Sequence, residues 1–310
     1  MKILRDYQFV EPQDRGASAA IGNFDGVHLG HRSVIDLARA AAPAAPLGVL
    51  TFDPHPRAFF APDAPPFRLM SREARANRLE KLGVDVLFEL NFNAALAALT
   101  PEEFAQRVIT DGFGISHVIV GADFCFGKGR IGTTEDLCRF GARMGFGVTV
   151  VPLIAQADIT VSSTAIRSAL SLGNPREAAA MLGHWHRIEG PVIGGEQRGR
   201  ELGYPTANMS IDGLHPPAFG VYAVLVDVLE GPHQGHYHGV ASMGVRPMFG
   251  ENRPNLETFI FDFSGDLYDT PLSVALVEHL RPEEKFDGLD ALITQMDYDS
   301  AEARRILAAL

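Results

Sequence analysis

Short apolar runs alternate with helical segments over the first 183 residues of the chain. At Thr100-Pro101-Glu102-Glu103, an N-cap residue, a proline in the first turn and a capping-box glutamate predict the start of a helix. Asn174-Pro175-Arg176-Glu177 repeats this pattern before another apolar stretch. Such alternation is typical of a parallel sheet with helices on both faces, so we predict an α/β domain. The predicted strands are Ala17–Ile21, Leu47–Phe52, Val84–Leu90, His117–Gly121 and Val148–Leu153.

The pattern changes near Gly183, where the helical period gives way to β-rich segments separated by Gly, Pro and Asn. This spacing is typical of an antiparallel barrel or sandwich. A final helix is predicted from apolar residues that recur at helical spacing after Leu289. We therefore predict two domains, residues 1–183 and 184–310, the second an antiparallel β-barrel with a terminal helix. Its predicted strands are Tyr222–Leu229, Tyr237–Met243, Leu256–Phe263 and Leu272–Leu280.

Composition narrows the class of protein. The 310 residues are 46% hydrophobic and 21% charged, as in a water-soluble globular protein. A net charge of −11 argues against a broad nucleic-acid surface, although it does not exclude a polyanion such as ATP. The two cysteines, Cys125 and Cys138, have neither metal-ligand spacing nor the density of a disulfide framework. With no signal-peptide core and no long apolar run, we expect a cytoplasmic protein without nucleic-acid or membrane partners.

The first strand leads into the most informative motif, Gly22-Asn23-Phe24-Asp25-Gly26-Val27-His28-Leu29-Gly30-His31. His28 and His31 would share one face of a first helical turn because they lie three residues apart. That turn also presents unpaired backbone N–H groups and a positive dipole end, which suit a phosphate. The alternative is a capped helix start whose histidines are only surface polar groups, and the spacing alone leaves both interpretations open.

Three further segments place polar side chains after predicted strands. Asp53 and His55 follow the second strand, although a proline-rigidified turn explains them too. The loop Gly121–Arg130 follows the fourth strand. It contains a G-x-G-x-x-G pattern, but no acidic residue follows at the spacing of a dinucleotide-binding fold. It also resembles a Walker A loop but lacks the Ser or Thr hydroxyl that would follow the lysine. Ser162–Arg167 opens a helix, where an ordinary N-cap is the alternative to phosphate binding. Ligands of parallel sheets bind at this carboxyl edge.

In the second half, Gly199–Asn208 reads as a glycine-flanked turn with two hard oxygen donors, Thr206 and Asn208. Mg²⁺ accepts such donors alongside nucleotide phosphates, while a plain β-turn explains the same residues. Glu257 shares a strand face with Phe259, Phe261 and Phe263 by the period of two. We interpret it as a candidate general base; an exposed glutamate at a strand start is the alternative.

In this order the motifs resemble those of prokaryotic bifunctional riboflavin kinase/FAD synthetases, and the resemblance covers essentially the whole chain. Gly22–His31 is similar to the H-x-G-H nucleotidyltransferase signature, and Gly203–Asn208 resembles the P-T-A-N segment of riboflavin kinases. The other matching segments are Thr51–Pro56, Gly121–Gly127, Ser162–Arg167, Gly239–Pro247, Leu256–Phe263 and Leu280–Phe286. Three positions depart from the family pattern: Cys125 stands where Arg is common, and Ser242 and Met248 replace the frequent Asn and Thr.

The resemblance implies two ATP-using reactions that depend on Mg²⁺. In the C-terminal domain, riboflavin would be phosphorylated to FMN, with Glu257 as the base and with Thr206 and Asn208 binding the metal. In the N-terminal domain, the FMN phosphate would attack a second ATP to give FAD and pyrophosphate. His28 and His31 would donate hydrogen bonds to the phosphates, and no covalent enzyme intermediate is needed.

The resemblance also implies roles for other residues. The nucleotide and phosphate residues would be Gly22, Asn23, Phe24, Asp25, Gly26, Asp123, Ser163, Thr164, Arg167, Gly203 and Pro205. The flavin residues would be Asp53, His55, Arg281 and Phe286. We expect ATP, riboflavin and FMN as substrates of a monomer or weak homo-oligomer.

Three other functions remain open. Only one half of the chain could be active, the protein could be a non-catalytic flavin-binding or flavin-transfer protein, or the first half could adenylylate a different phosphorylated substrate. Retention of both the His28/His31 pair and Glu257 favours the bifunctional enzyme.

Overall fold

A computed structural model describes residues 1–152, 155–156, 159–194, 203–248 and 251–310. Its internal contacts separate two compact units. The first comprises Met1–Ala64 and Arg75–Val161, and the second comprises Pro65–Ala74 and Ser162–Leu310. Each unit is built on a six-stranded sheet.

The first unit confirms the predicted parallel α/β fold. Its sheet has the order β1-β4-β3-β2-β5-β6, and every neighbouring pair is parallel. The strands are β1 (Lys2–Leu4), β2 (Ser18–Ile21), β3 (Leu47–Asp53), β4 (Val86–Asn91), β5 (His117–Gly121) and β6 (Gly147–Val151). A separate antiparallel pair consists of β7 (Ala155–Gln156) and β8 (Ile159–Thr160). The central strands are buried on both faces, which explains their continuous apolar runs.

Helices cover this sheet. They are α1 (Leu29–Ala41), α2 (Pro56–Phe60), α3 (Arg72–Lys81), α4 (Ala94–Ala97), α5 (Pro101–Phe104) and α6 (Thr134–Met144), with 3-10 turns at Pro12–Asp14 and Lys128–Arg130. The predicted capping box is present, because the Thr100 side chain accepts from the Glu103 N–H and the Glu103 carboxylate accepts from the Thr100 N–H. Helix α5 continues as a π-helix, Ala105–Phe113, which ends at Gly114 with φ +60°.

The second unit confirms the antiparallel barrel. Helices α7 (Ser163–Ser171) and α8 (Pro175–Leu182) come first. Its sheet has the order β10-β13-β12-β11-β14-β9, and the Ile193 N–H, just beyond β9, donates to the Asn208 carbonyl of β10 at 2.8 Å. This bond links the two outer strands and curls the sheet. The strands are β9 (His186–Pro191), β10 (Thr206–Ser210), β11 (Gly220–Val228), β12 (Gly235–Met248), β13 (Glu251–Ile260) and β14 (Pro271–Arg281).

The predicted terminal helix is α9, Leu289–Leu307. Its residues Ala303 and Leu307 pack in one apolar cluster with Ala223 of β11 and Val277 of β14. The interior of the curled sheet is a second cluster that includes Met209, Val224, Leu256 and Val274. The helix therefore covers one apolar face of the sheet while the strands enclose the other.

Two sequence interpretations in the second half need correction. The prediction of a glycine-flanked turn over Gly199–Asn208 is wrong at its end, because Thr206–Ser210 forms strand β10. Residues 199–202 of that segment lie outside the described residues. The alternation of Leu256–Phe263 ends at Ile260, since Asp262 has φ +55°. Phe263 consequently packs with the interior cluster and not on the Glu257 face.

The contacts group α7 and α8 with the barrel. The compact units therefore divide near residue 162, whereas the functional boundary at 183/184 stays a prediction. Over the part of the chain that the structure describes, no helix has both the length and the apolar character needed to cross a bilayer.

Candidate active sites

The loop between β2 and α1 carries the two histidines in a strained backbone. Phe24 and Val27 have φ values of +51° and +43°, and Gly26 between them has φ +85°. The left-handed region is unfavourable for a β-branched residue such as Val27 and costs roughly 1–3 kcal/mol per residue. Burial of the Phe24 and Val27 side chains helps to hold this conformation. Strain of this kind clusters at functional sites.

His28 caps helix α1 with its ring. Its Nδ1 accepts a hydrogen bond from the His31 N–H at 3.3 Å, so neutral His28 carries its proton on Nε2. The two imidazoles stack with centroids 3.7 Å apart and planes 16° apart. Gly30 leaves room for this arrangement, since a Cβ there would lie 3.1 Å from Cε1 of His28.

The His31 ring is held neutral. Burial, and then the neighbouring His28, lower the pKa of His31 well below its usual range. The Phe24 ring lies 5.0 Å from it, centroid to centroid. Nδ1 of His31 is buried and has no hydrogen-bond partner among the described residues. An unsatisfied buried ring nitrogen is costly, and a ligand would relieve that cost.

The carboxyl ends of three adjacent strands, β3, β2 and β5, bring several predicted residues to one edge of the sheet. Gly22–Gly26 follow β2, Asp53 ends β3 and Asp123 follows β5. The Asp123 side chain is exposed and turns back toward Gly121, where a Cβ would lie 2.9 Å from Oδ1. Cys125 is a free, exposed thiol between Phe124 and Phe126, whose rings stack at 5.5 Å.

An aromatic cluster beside Asp53 and His55 escaped the sequence analysis. His55 caps α2 by accepting the Arg57 N–H at 3.0 Å. Just beyond it, Phe60 is 68% exposed. Its ring lies 5.8 Å from that of Phe92, which follows β4. Two more phenylalanines, Phe52 and Phe59, lie 5.7 and 5.4 Å from Phe92. In the sequence, the adjacent residues Phe59 and Phe60 shortly after Pro54-His55-Pro56 are the signal that could have predicted this cluster.

Ser163, Thr164 and Arg167 lie on α7 and group with the second unit. Ser162 caps this helix by accepting the Ala165 N–H at 3.2 Å. Arg167 Nε donates to the Phe67 carbonyl at 2.5 Å, and its guanidinium lies 5.4 Å from the Phe67 ring centroid. The phosphate roles of Ser163, Thr164 and Arg167 stay predictions.

In the barrel, Glu257 lies between two partner strands. It is paired in register with Asn208 of β10 and with Ser242 of β12. The buried amide of Asn255 donates to Glu257 Oε1 at 3.2 Å and to Asn208 Oδ1 at 3.4 Å. Thr206 shares the face of Asn208 by the period of two. The strand register thus gathers the predicted base and both predicted metal ligands, together with Asn255, which the sequence analysis missed.

A second carboxylate lies on this face. Gly244 is paired with Asn255, and the Glu283 carboxylate occupies the place that a Cβ of residue 244 would take. A hydroxyl, an amide oxygen and two carboxylates form a donor set that suits a hard cation such as Mg²⁺. Among the described residues, however, no group of three or more His, Cys, Asp or Glu is placed to hold a metal by itself. Phosphate oxygens would have to complete the coordination of such an ion.

Arg281 has a partner within the fold. Its Nε and Nη2 donate to both carboxylate oxygens of Asp299 on α9, at 3.0 and 2.8 Å for Oδ2. Its guanidinium lies 5.4 Å from the Phe286 ring centroid. Arg281 therefore links β14 to α9, and flavin contacts of Arg281 and Phe286 stay predictions.

The predicted phosphate segment Gly203–Pro205 leads into β10. Gly203 has φ +81°, a conformation that favours glycine. Tyr204 packs against Phe259 with ring centroids 4.7 Å apart and donates its hydroxyl to Asp297.

Two family models match the chain. Residues 10–165 match FAD synthetase, and residues 182–307 match riboflavin kinase. A bifunctional riboflavin kinase/FMN adenylyltransferase of Pseudomonas fluorescens is 40% identical over 99% of this chain and 98% of its own length. A protein of the same name from Bacillus subtilis is 35% identical over 99% of this chain and 98% of its own length. Another, from Escherichia coli K12, is 35% identical over 98% of this chain and 97% of its own length. A crystal structure from Streptococcus pneumoniae, described as a macrolide-efflux protein, superposes with a TM-score of 0.83 at 31% identity, covering 97% of this chain and 98% of that one.

Proposed function

Because the chain belongs to the family of bifunctional riboflavin kinase/FMN adenylyltransferases, we propose that the Glu257 face of the barrel makes FMN and that the His28 loop converts FMN to FAD. The arrangement of Glu257 between Asn208 and Ser242, with Asn255 bonded to it, carries the kinase assignment. The stacked histidines at the start of α1, with the ring of His31 held neutral, carry the adenylyl-transfer assignment.

In the kinase reaction, the 5′-hydroxyl oxygen of riboflavin bonds to the γ-phosphorus of ATP. The bond from that phosphorus to its bridging oxygen breaks, and ADP leaves. Glu257 takes the hydroxyl proton, and the Asn255 amide orients its carboxylate. Bound Mg²⁺ would neutralise the phosphate charge. Thr206 and Asn208 would hold that ion, while Gly203 and Pro205 would line the phosphates.

In adenylyl transfer, a phosphate oxygen of FMN bonds to the α-phosphorus of ATP, and pyrophosphate leaves. His28 would donate its Nε2–H, and His31 would donate from its neutral ring. Both hydrogen bonds would go to phosphate oxygens as negative charge builds on them in the transition state. The backbone of Gly22–Gly26 and the start of α1 would supply further N–H donors. Asp123 would hold the nucleotide, with Ser163, Thr164 and Arg167 on the leaving phosphates.

The flavin of FMN would lie against the aromatic cluster beside Asp53 and His55. Phe60 exposes its ring there, and a flat heteroaromatic ligand gains most from such a surface. In the kinase half, Phe286 beside Arg281 is the corresponding candidate. The free thiols Cys125 and Cys138 support a reducing, cytoplasmic location. We also propose that the protein is a monomer or a weak homo-oligomer. Size-exclusion chromatography coupled to light scattering would test this oligomeric state.

A time course tests the assignment. Purified protein is incubated with riboflavin, ATP and Mg²⁺, and the flavins are resolved by chromatography. We expect FMN first and FAD afterwards, with neither formed when a chelator removes the metal. An accumulation that stops at FMN would contradict the adenylyl-transfer role. Unchanged riboflavin, with FAD formed only from added FMN, would contradict the kinase role.

A further inference from the structure

Arg75 is a buried arginine in the first unit. It lies on α3 and only 5% of the residue is exposed. Burying a guanidinium is unfavourable unless its charge and its N–H groups are satisfied. Its partners therefore indicate what the residue is for.

One partner is the His28 loop, which lies between β2 and α1. Arg75 Nη1 lies 3.4 Å from the carbonyl oxygen of Asn23 and 3.3 Å from that of Phe52, at the carboxyl end of β3. The Thr51 hydroxyl also donates to the Asn23 carbonyl, at 3.0 Å. Two side chains from outside the loop thus point their donors at one peptide, immediately before the left-handed residue Phe24.

The other partner is a buried carboxylate. Arg75 Nη2 lies 3.7 Å from Glu89 Oε2, and the Glu89 side chain is 1% exposed. Glu89 lies on β4 directly opposite Thr51, and its other oxygen lies 3.3 Å from Arg5 Nε. A buried ion pair is often less stabilising than apolar residues of the same size. The presence of the buried Glu89–Arg75 pair between β4 and α3 therefore points to a requirement other than stability.

We propose that Arg75 is a positioning residue for adenylyl transfer, acting through the Asn23 carbonyl and held in place by Glu89; the inference rests on the proposed role of the His28 loop. A backbone with several left-handed residues persists only where its surroundings over-determine it. Arg75 and Thr51 provide that determination at the start of the loop. Without Arg75 only the Thr51 hydroxyl still donates to the Asn23 carbonyl, so the peptide is held less firmly and both the loop N–H groups and the His28 ring lose their alignment.

The proposal makes a kinetic prediction for Arg75→Met in the full-length protein. A misplacement of about 1 Å in a catalytic group costs on the order of 100-fold in rate. We expect kcat for FAD formation to fall roughly 10- to 100-fold, with the KM values for ATP and FMN little changed. FMN formation by the barrel of the same molecules should be unchanged. Arg75→Lys should recover part of the lost kcat, because an ammonium can still donate to one of the two carbonyls.

Two further variants separate positioning from stability. In Arg75→Met/Glu89→Leu the buried carboxylate that has lost its Arg75 partner is also removed, so we expect the thermal stability lost in Arg75→Met to return at least in part while kcat stays low. Arg39→Met is the matched control: Arg39 donates to the Leu82 carbonyl at 2.8 Å, an exposed bond in the same unit, and its loss should leave FAD formation unchanged.

Several results would overturn the proposal. Wild-type kcat in folded Arg75→Met would do so, as would recovery of kcat along with stability in the double variant. A rise in KM alone would make Arg75 a substrate ligand and not a positioning residue. If the wild-type protein itself formed no FAD, the assignment of the loop would fail, which is a distinct outcome. Hydrogen exchange at residues 22–28, expected to quicken in Arg75→Met, reports on the loop without any substrate.

Discussion

Nδ1 of His28 accepts the backbone N–H of His31 at 3.3 Å, so one histidine both caps helix α1 and, when neutral, carries its proton on Nε2. The stacked ring of His31 is kept neutral by burial and by this neighbour. The hydrogen bond therefore ties the start of the helix to the tautomer in which, as we propose, His28 donates from Nε2 during adenylyl transfer.

The substitution His28→Asn tests this dual role. Asparagine still caps a helix, but it cannot place a donor where Nε2 lies. We expect the kcat for FAD formation to fall roughly 100- to 1000-fold, as when one oxyanion donor is removed, while FMN formation persists. Chromatography of reactions started from FMN or from riboflavin measures the two rates. His117→Asn, which alters a histidine bonded to Thr149, is the control and should change neither.

A substitution in the barrel should have the opposite effect. Glu257→Gln keeps the size of the side chain and removes its basicity, so FMN formation should fall roughly 100- to 10,000-fold. FAD formation from added FMN should be unchanged. The control is Glu278→Gln, at a carboxylate that is paired with Arg176. Loss of both activities in a folded Glu257→Gln protein would contradict the two-site proposal.

The sequence predicts the parts of the fold that depend on local pattern. The buried strands of the parallel sheet are continuous apolar runs, and His117–Gly121 is predicted to the residue. Strand β1 is three residues long and partly exposed, so it leaves no such run. Strand β10 follows Gly203-Tyr204-Pro205, which has turn chemistry; its strand character comes from pairing with β13, far away in the chain.

The same distinction applies to the sites. His28, His31 and Glu257 stand out by spacing or by their neighbours in one segment. Asn255 and Arg75 do not, because their roles arise from contacts that folding creates. Arg75 and Asn23 are 52 positions apart, and no local pattern connects an arginine on one helix with a carbonyl in a distant loop.

Phe60→Ala tests the aromatic cluster as a flavin surface. An aromatic contact is worth about 0.5–1.5 kcal/mol beyond area burial, so the KM for FMN in FAD formation should rise roughly three- to tenfold, with kcat retained. Because the ring is exposed, thermal stability should change little. Phe9→Ala removes another exposed ring of the first unit, 82% accessible, and should leave the KM unchanged. Equal effects of the two substitutions would contradict a specific flavin surface.

The stability of the second unit should depend on pH through His186. Burial, and then His184 and His215, lower the pKa of His186 to about 3. An unfolded histidine titrates near pH 6.5, so below about that pH the unfolded chain binds a proton that the folded chain does not. This contribution to stability is complete above about pH 6.5 and is lost as the pH falls toward about 3, by up to about 1.4 kcal/mol per pH unit.

Urea unfolding followed by Trp185 fluorescence measures this dependence, since the single tryptophan adjoins His186. His186→Leu should flatten the pH dependence. An unaltered slope in His186→Leu would assign the effect to other groups.

Gly244→Ala tests the carboxylate of Glu283. An alanine Cβ would take the place of that carboxylate, and Glu283 can swing away because it is the exposed end of a flexible chain. The fold should therefore tolerate the change, while the acidic group beside Asn255 is displaced. Losing one charge-assisted interaction of about 1.5 kcal/mol lowers kcat/KM for FMN formation about tenfold.

Glu283→Gln should reproduce that loss, and the double variant should be no worse than either single one, because both remove the same group. Gly190→Ala on β9, where a Cβ meets only Met209 at 3.9 Å, is the matched control and should keep wild-type activity. If Gly244→Ala slowed FMN formation while Glu283→Gln did not, the space at residue 244, and not the charge of Glu283, would be what the kinase requires.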